Sequence, residues 1–531
     1  MPWFAKAPRR PAQRQALRAA TVPAPNGGIN AVDSGVAIPP SDAMDLVNMV
    51  GGRVGLTSRY GFAEWCIGMG GNPVRSVIPF TGSTPANDRL FAATSTDIFD
   101  CTTSSATPSS VHTFGTSDAT SGFGVSQVFE TSAGHFLFHA DETNGLLRYD
   151  ESTDTWAAAA SITGVSAADL VFVTAWKNRL LFAERDTGNL WFLPVGYISG
   201  TAAVVRLGNR APHGGYLVGA WSWTIDGGAG VDDFLVCVFS SGDVLIYQGD
   251  DPATAGAFNL VGTWFVGAVP KGRRIATDIG GDLLLLSLAG VVPVSKLRSG
   301  SFGPDMYTTR KIAPKFNEAA TTRRDLWGWQ IALSPTENAL IVNMPRVGDT
   351  YEQFAMSIST QGWSRFQGVP SLSMAPWGGD LYVGTLDGRV CKVTGDLDDV
   401  KIDGAATYSE IDWSGLSAFS DFGAPAWKQV HEIEPIMWTQ GAAPGYGVEA
   451  RYDFDTSTIS STPPDPATEG IATWDAATWD TDVWPGIDVP CGGIRGATGM
   501  GMRAAVAFRG RSNARTTLMG FRVRWTDGGI R

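Results

Sequence analysis

The chain has 531 residues, 44% of them hydrophobic and only 17% charged, a length and composition that exclude a single small domain and a disordered chain. Its net charge of −12 is uneven: residues 1–25 carry +5 and residues 501–531 carry +6, which leaves −23 for residues 26–500. So acidic a body argues against tight nucleic-acid binding, and suits a surface past which DNA slides without sticking. The 64 Gly and 30 Pro are spread along the chain, the mark of a turn-rich fold. No run of 18 apolar residues is long enough for a membrane-spanning helix, and the basic N-terminus lacks the apolar segment of a secretory signal. Five Cys, an odd number with no CxxC pair, read as reduced thiols, as a reducing cytosol would keep them.

In chain order, residues 1–25 are expected to be a mobile basic arm and residues 26–70 the N-terminal segment of a β platform. Within that segment Ser41 is a good N-cap and Asp42 an acidic first-turn residue, which predicts a short helix over 42–49. From 71 to 400 one pattern recurs: a polar opening, four to six apolar residues, a turn, and a second short apolar stretch. The apolar runs are Leu90–Ala93, Phe136–Phe138, Leu180–Ala183, Phe234–Val238, Leu283–Leu286, Ala339–Val342 and Leu381–Val383. Their spacing is that of four-stranded propeller blades, and their unbroken apolarity is that of strands buried on both faces. The expected fold is all-β: a β-propeller of six or seven blades over 71–400, with a β platform made by the two terminal segments, the second being a channel domain over 401–531. A series of hairpins in stacked sandwiches is the alternative. In the last region Arg522-Val523-Arg524-Trp525 alternates as a half-exposed strand does.

Chemistry is scarce. His135 and His139 lie four apart in a strand, about 13 Å along one face, too far to share a zinc. No nucleophile elbow, zinc helix motif, phosphate loop or calcium loop is present. The basic pairs of the propeller region, Arg323-Arg324 and the Lys271, Arg273, Arg274 group, fall short of a glycosidase constellation of paired carboxylates. No catalytic, cofactor or metal residue is therefore assigned, and the chain reads as no enzyme. Trp474, Trp479 and Trp484 recur every five residues, so in a strand they alternate faces; they read as loop or subunit-interface anchors. Arg511 and Arg515, in the Arg-rich stretch 503–524, are candidates for docking an acidic neighbour.

Three stretches carry a family resemblance. The first is Gly27-Gly28-Ile29-Asn30 with Asp33, Ile38-Pro39-Pro40-Ser41-Asp42-Ala43, Leu46, Asn48 and Gly55-Leu56-Thr57-Ser58-Arg59-Tyr60-Gly61; the second is residues 221–267; the third runs from Gly280-Gly281-Asp282-Leu283 to Gly290-Val291-Val292-Pro293-Val294-Ser295. In these, and in the Trp474–Trp484 segment, the chain resembles the tail nozzle proteins of short-tailed bacteriophages, also called tail tubular protein B. The 1–25 arm has no place in that family pattern. The resemblance implies a virion protein: a hexameric ring below a tail adaptor ring, forming the end of the DNA channel, closed before infection and helping to hold tail fibres. Trp479 or Trp484 would be candidates for the narrow point. The alternative function is a carbohydrate-binding tail adhesin or polysaccharide depolymerase with a propeller head.

Overall fold

The computed structural model describes residues 16–226, 231–254, 256–300, 303–405, 407–459, 461–466 and 488–528. The chain is all-β, and six small sheets stand in a ring, the arrangement of a six-bladed β-propeller. In chain order the sheets span Ser76–Thr113, Gly124–Ala158, Leu170–Arg206, Leu217–Phe265, the three-stranded Ala276–Pro293, and Ser371–Val393. The last borrows its fourth strand, Phe62–Cys66, from the N-terminal segment, which pairs with Val390–Val393 and closes the ring. One propeller strand thus comes from the segment 26–70.

All seven apolar runs fall on the second strand of a meander. Six lie in the small sheets; the seventh, Ala339–Val342, lies in the meander Gln330–Gln367. A second strand has neighbours along both edges and packed sheets over both faces, so every side chain from Phe234 to Phe239 and from Leu283 to Leu286 is buried. The outer strand Phe258–Phe265 instead alternates half-buried with exposed residues, as a strand with one wet face must. The third sheet begins with a tight hairpin in which Lys177 and Asn178 both have positive φ, 48° and 55°, the turn whose twist matches that of its strands.

The Gln330–Gln367 meander sits between the fifth and sixth small sheets but belongs to a nine-stranded sheet. Its last strand, Trp363–Gln367, pairs in parallel with Ala43–Val47, through Val47 and Arg365. That strand pairs in turn with Ser409–Ser417, followed by Ala504–Ser512 and Gly445–Tyr452. The platform is thus continuous with the propeller's side. A second, seven-stranded platform sheet centres on Thr516–Asp527 and Lys428–Thr439.

Two expectations are corrected. Residues 42–49 form strands, Ala43–Val47 and Met49–Gly51, not a helix. Asp42 stands in no first helical turn; its carboxylate accepts from Asn30 and Lys311, each at 2.9 Å, while Asn48 turns left-handed at φ 56° and strand partners lie on both sides. Tertiary pairing overrides the local cap signal. The second concerns the arm: Arg18–Pro23 is a strand paired along Gly520–Trp525, so this part of the basic segment is fixed in the platform. The one helix longer than two turns among the described residues, Ala313–Arg323, was not anticipated, although Phe316, Ala319, Ala320 and Arg323 are its buried face at helical spacing and Pro314 opens it.

Gly28 shows how tightly the N-terminal segment is seated. Its φ is 77°, Ile29 donates to the Trp363 carbonyl at 2.8 Å, and a Cβ on Gly28 would lie 2.3 Å from the Trp363 nitrogen. Gly28→Ala should cost more than the roughly 1–2 kcal/mol of a left-handed non-glycine residue. A urea unfolding midpoint unchanged from the parent chain would refute this seating.

Candidate interaction surface

The N-terminal segment builds a seam of ion pairs between platform and propeller. Arg59 follows the short strand Leu56–Ser58 and is 1% exposed. Its guanidinium binds both oxygens of Asp398, at 2.7 and 2.6 Å, and donates to the carbonyls of Tyr60 and Gln367 and to the Asn48 side chain. Asn48 also donates to the Asp412 carbonyl at 2.7 Å and accepts from the Gln367 nitrogen at 2.8 Å, so one side chain touches three elements. Beside them Asp45 takes Arg365 and Lys315, each at 2.7 Å, and Arg365 reaches on to Glu352. Burial alone would raise the Asp45 carboxyl, but these two cations outweigh it and hold it below the usual carboxylate range. A groove of about 450 Å³ opens along this seam, with Asp45, Arg59, Asp398, Asp412 and Arg509 in its wall. Asp45, Asp398 and Asp412 are each committed to an arginine.

Arg515 lies on the Tyr60 ring, 3.7 Å from its centroid, and Arg511 binds Asp412 at 2.7 Å and Asp465 at 3.2 Å. The two candidate docking arginines thus have partners within the chain. Beneath Arg515 the buried Glu337 accepts from the Tyr60 nitrogen at 2.5 Å, while its other oxygen and one Arg515 nitrogen are buried without a hydrogen-bond partner. Burial pushes the Glu337 and Asp396 carboxyls up, against the pull of Arg515. Trp474, Trp479 and Trp484 lie outside the described residues.

On the seven-stranded sheet, arginines from both ends of the chain form cross-strand pairs: Arg522 with Glu434 at 2.9 Å, Arg524 with Glu432 at 2.7 Å, and Arg18 with Asp527 at 2.9 Å. Exposed pairs of this kind contribute about 0–1 kcal/mol each, and they neutralise charge the composition left free. At one end of the platform Trp427 is 46% exposed, Met500 46% and Met502 41%. Adjoining backbone ties these three together, Gly528 to Trp427 and Lys428 to Gly501. The nine-stranded sheet ends at Gly445–Tyr452, which pairs with another strand on one side only among the described residues. Trp427, a lone Trp in the loop after Pro425, carries no periodicity by which the sequence would mark it.

Among the described residues the histidines have separate partners. His213 meets Asp243 at 2.7 Å and packs on Phe265 with the rings tilted by 44°; His135 meets Glu151 at 2.8 Å; His139 on the same strand is buried against Ser126. Among the described residues no three His, Cys, Asp or Glu side chains are placed to hold a metal ion, and all five cysteines are free thiols. In comparison with known proteins, no family model and no curated sequence matches the chain.

Two outcomes follow for the seam. Asp398→Ala leaves Arg59 buried and unpaired, and should cost about 3–5 kcal/mol; a urea midpoint within error of the parent would sink the claim. For Glu337 the raised folded value means the native state binds more protons than the unfolded one. Its contribution is therefore complete below the ordinary value of 4.5 and lost as pH climbs through the folded value. The melting temperature of Glu337→Gln, relative to the parent, should accordingly rise from pH 4 to pH 7; a difference that stays flat or falls would contradict the assignment.

Proposed function

We propose that the chain is a virion structural protein, the distal tail nozzle of a short-tailed bacteriophage. In this reading copies assemble into a ring, six in the family it resembles, that retains the genome, conducts double-stranded DNA during ejection, docks on an adaptor ring and helps to anchor tail fibres. It acts without catalysis. The observation that carries the reading is the exposed apolar group on the platform. The propeller sheets close into a ring, each around its own buried second strand, whereas the platform combines a terminal strand, Gly445–Tyr452, with an exposed apolar group, Trp427, Met500 and Met502. Exposed apolar area beside a strand with one partner fits a subunit that meets its neighbours through the platform.

The resemblance supports the same division. Its first block, residues 27–61, falls on the seam that positions the platform, and its second, 221–267, covers the fourth propeller sheet. The net charge of −23 over residues 26–500 suits a wall that DNA passes, because cationic groups facing the duplex would bind it by counterion release and slow ejection.

Cryo-electron microscopy of short-tailed particles containing the chain tests this. The expected map places it as a ring at the tail's distal end, its channel wall dominated by Asp, Glu and polar loops. Placement elsewhere in the particle, or rings of Arg and Lys facing the DNA along most of the channel, would overturn the proposal. Trp427→Asp should block incorporation into particles while changing stability by only about 0.5 kcal/mol, as surface substitutions do; normal incorporation would exclude the platform patch as the contact.

A further inference from the structure

The propeller axis carries a feature that a conduit subunit does not need. The first strands of the small sheets surround an open cavity of about 290 Å³, close to the lower end of the range of about 300–1,000 Å³ typical of small-molecule sites. In a body this acidic, no Asp or Glu lines it, whereas Arg273 and Arg274 do. The two arginines are not equivalent. Arg273 is fully engaged: it binds both oxygens of Glu142, at 2.6 and 3.3 Å, and donates to the carbonyls of Leu217 and Val218. Arg274 donates to the Arg75 carbonyl at 2.9 Å, has its guanidinium near the Phe123 ring, and meets no carboxylate among the described residues.

The remaining wall favours negative charge. Ser126 and Thr174 bring hydroxyls. His139, behind Ser126, cannot supply a competing cation, since burial beside Arg274 holds its pKa down to about 3. Burial also lowers Arg274 itself, to about 10, the direction expected of a cation with no counter-charge, yet it stays protonated at neutral pH.

We infer that the axial cavity binds a compact anion, an inorganic oxyanion or a small carboxylate, through the open N–H groups of Arg274. A guanidinium presents parallel donors that match two oxygens of such an anion, and these bonds are stronger in a wall of low polarity than in water.

The test uses the full chain and inorganic phosphate, with acetate as the carboxylate arm and sodium chloride at matched ionic strength as the control. Phosphate, acetate or both should raise the melting temperature in a saturable way, and which of them does so identifies the anion class. Isothermal titration calorimetry with the effective anion should give an affinity at least tenfold weaker in Arg274→Gln. No shift beyond that of matched chloride, or undiminished binding in the variant, would overturn the inference. Should Arg274→Gln fail to fold, Ala276→Leu, which narrows the cavity without touching the arginine, replaces it: lost binding supports the site and retained binding refutes it.

Discussion

A guanidinium that is 1% exposed remains inside a protein only if its surroundings replace nearly all of its hydration. Arg59 achieves this with a bidentate carboxylate, two backbone carbonyls and the Asn48 amide, and those partners come from separate parts of the chain. Asp398 follows the last propeller sheet, Gln367 ends the meander, and Asn48 links two platform strands. If any of these elements shifts, a charge is left buried and unpaired. The penalty for such a charge, about 3–5 kcal/mol, exceeds what exposed ion pairs elsewhere can return. The relative placement of propeller and platform therefore depends on this node. Gly28 against Trp363 and Gly61 against the Leu397 carbonyl bring the backbone close enough to form it.

The same segment explains why the molecule has two kinds of surface. Phe62–Cys66, just beyond Arg59, supplies the outer strand of the last propeller sheet, so the N-terminal segment fastens the two ends of the ring together. The strands before it join the platform, where one sheet ends at a strand with a single partner. Charge is distributed to match. Among the described residues, Arg18, Arg522 and Arg524 are held by Asp527, Glu434 and Glu432 on the sheet face, and Arg511 by Asp412 at the seam.

The propeller was legible because its signal is one of burial on both faces. Each apolar run marks a second strand, whose context is the same in every sheet whatever its turns do. The platform was legible only as a region. Its strands pair across hundreds of residues, Arg18 with Trp525 and Val47 with Arg365, and no local pattern encodes a partner so distant. At 42–49 a sound cap signal was present and lost to those pairings, whereas at 313–323 a sound helical spacing was present and unread. The axial arginines stood out as a basic group, but not their difference: Glu142, which satisfies Arg273 and not Arg274, lies 131 residues away.

These long-range pairings also order the events of folding. The ring cannot close until Val390–Val393 exists to receive Phe62–Cys66, and Arg18–Pro23 has no partner until Thr516–Asp527 is made. Contacts of such separation must overcome loop-closure entropy before they return anything, so they form late and slowly. The individual sheets, whose strands are adjacent in sequence, can form before them. The platform, built on pairs between the two ends of the chain, is completed only when the whole polypeptide is present. A surface that appears at that stage is absent from nascent and half-folded chains, which still expose apolar strands and would otherwise be captured through it. In the proposed assembly, an association surface on the platform rather than on a blade would tie assembly to the completion of folding: the node at Arg59 is satisfied before the outer strands are fixed in register, and only then is there a defined face for a neighbour to meet.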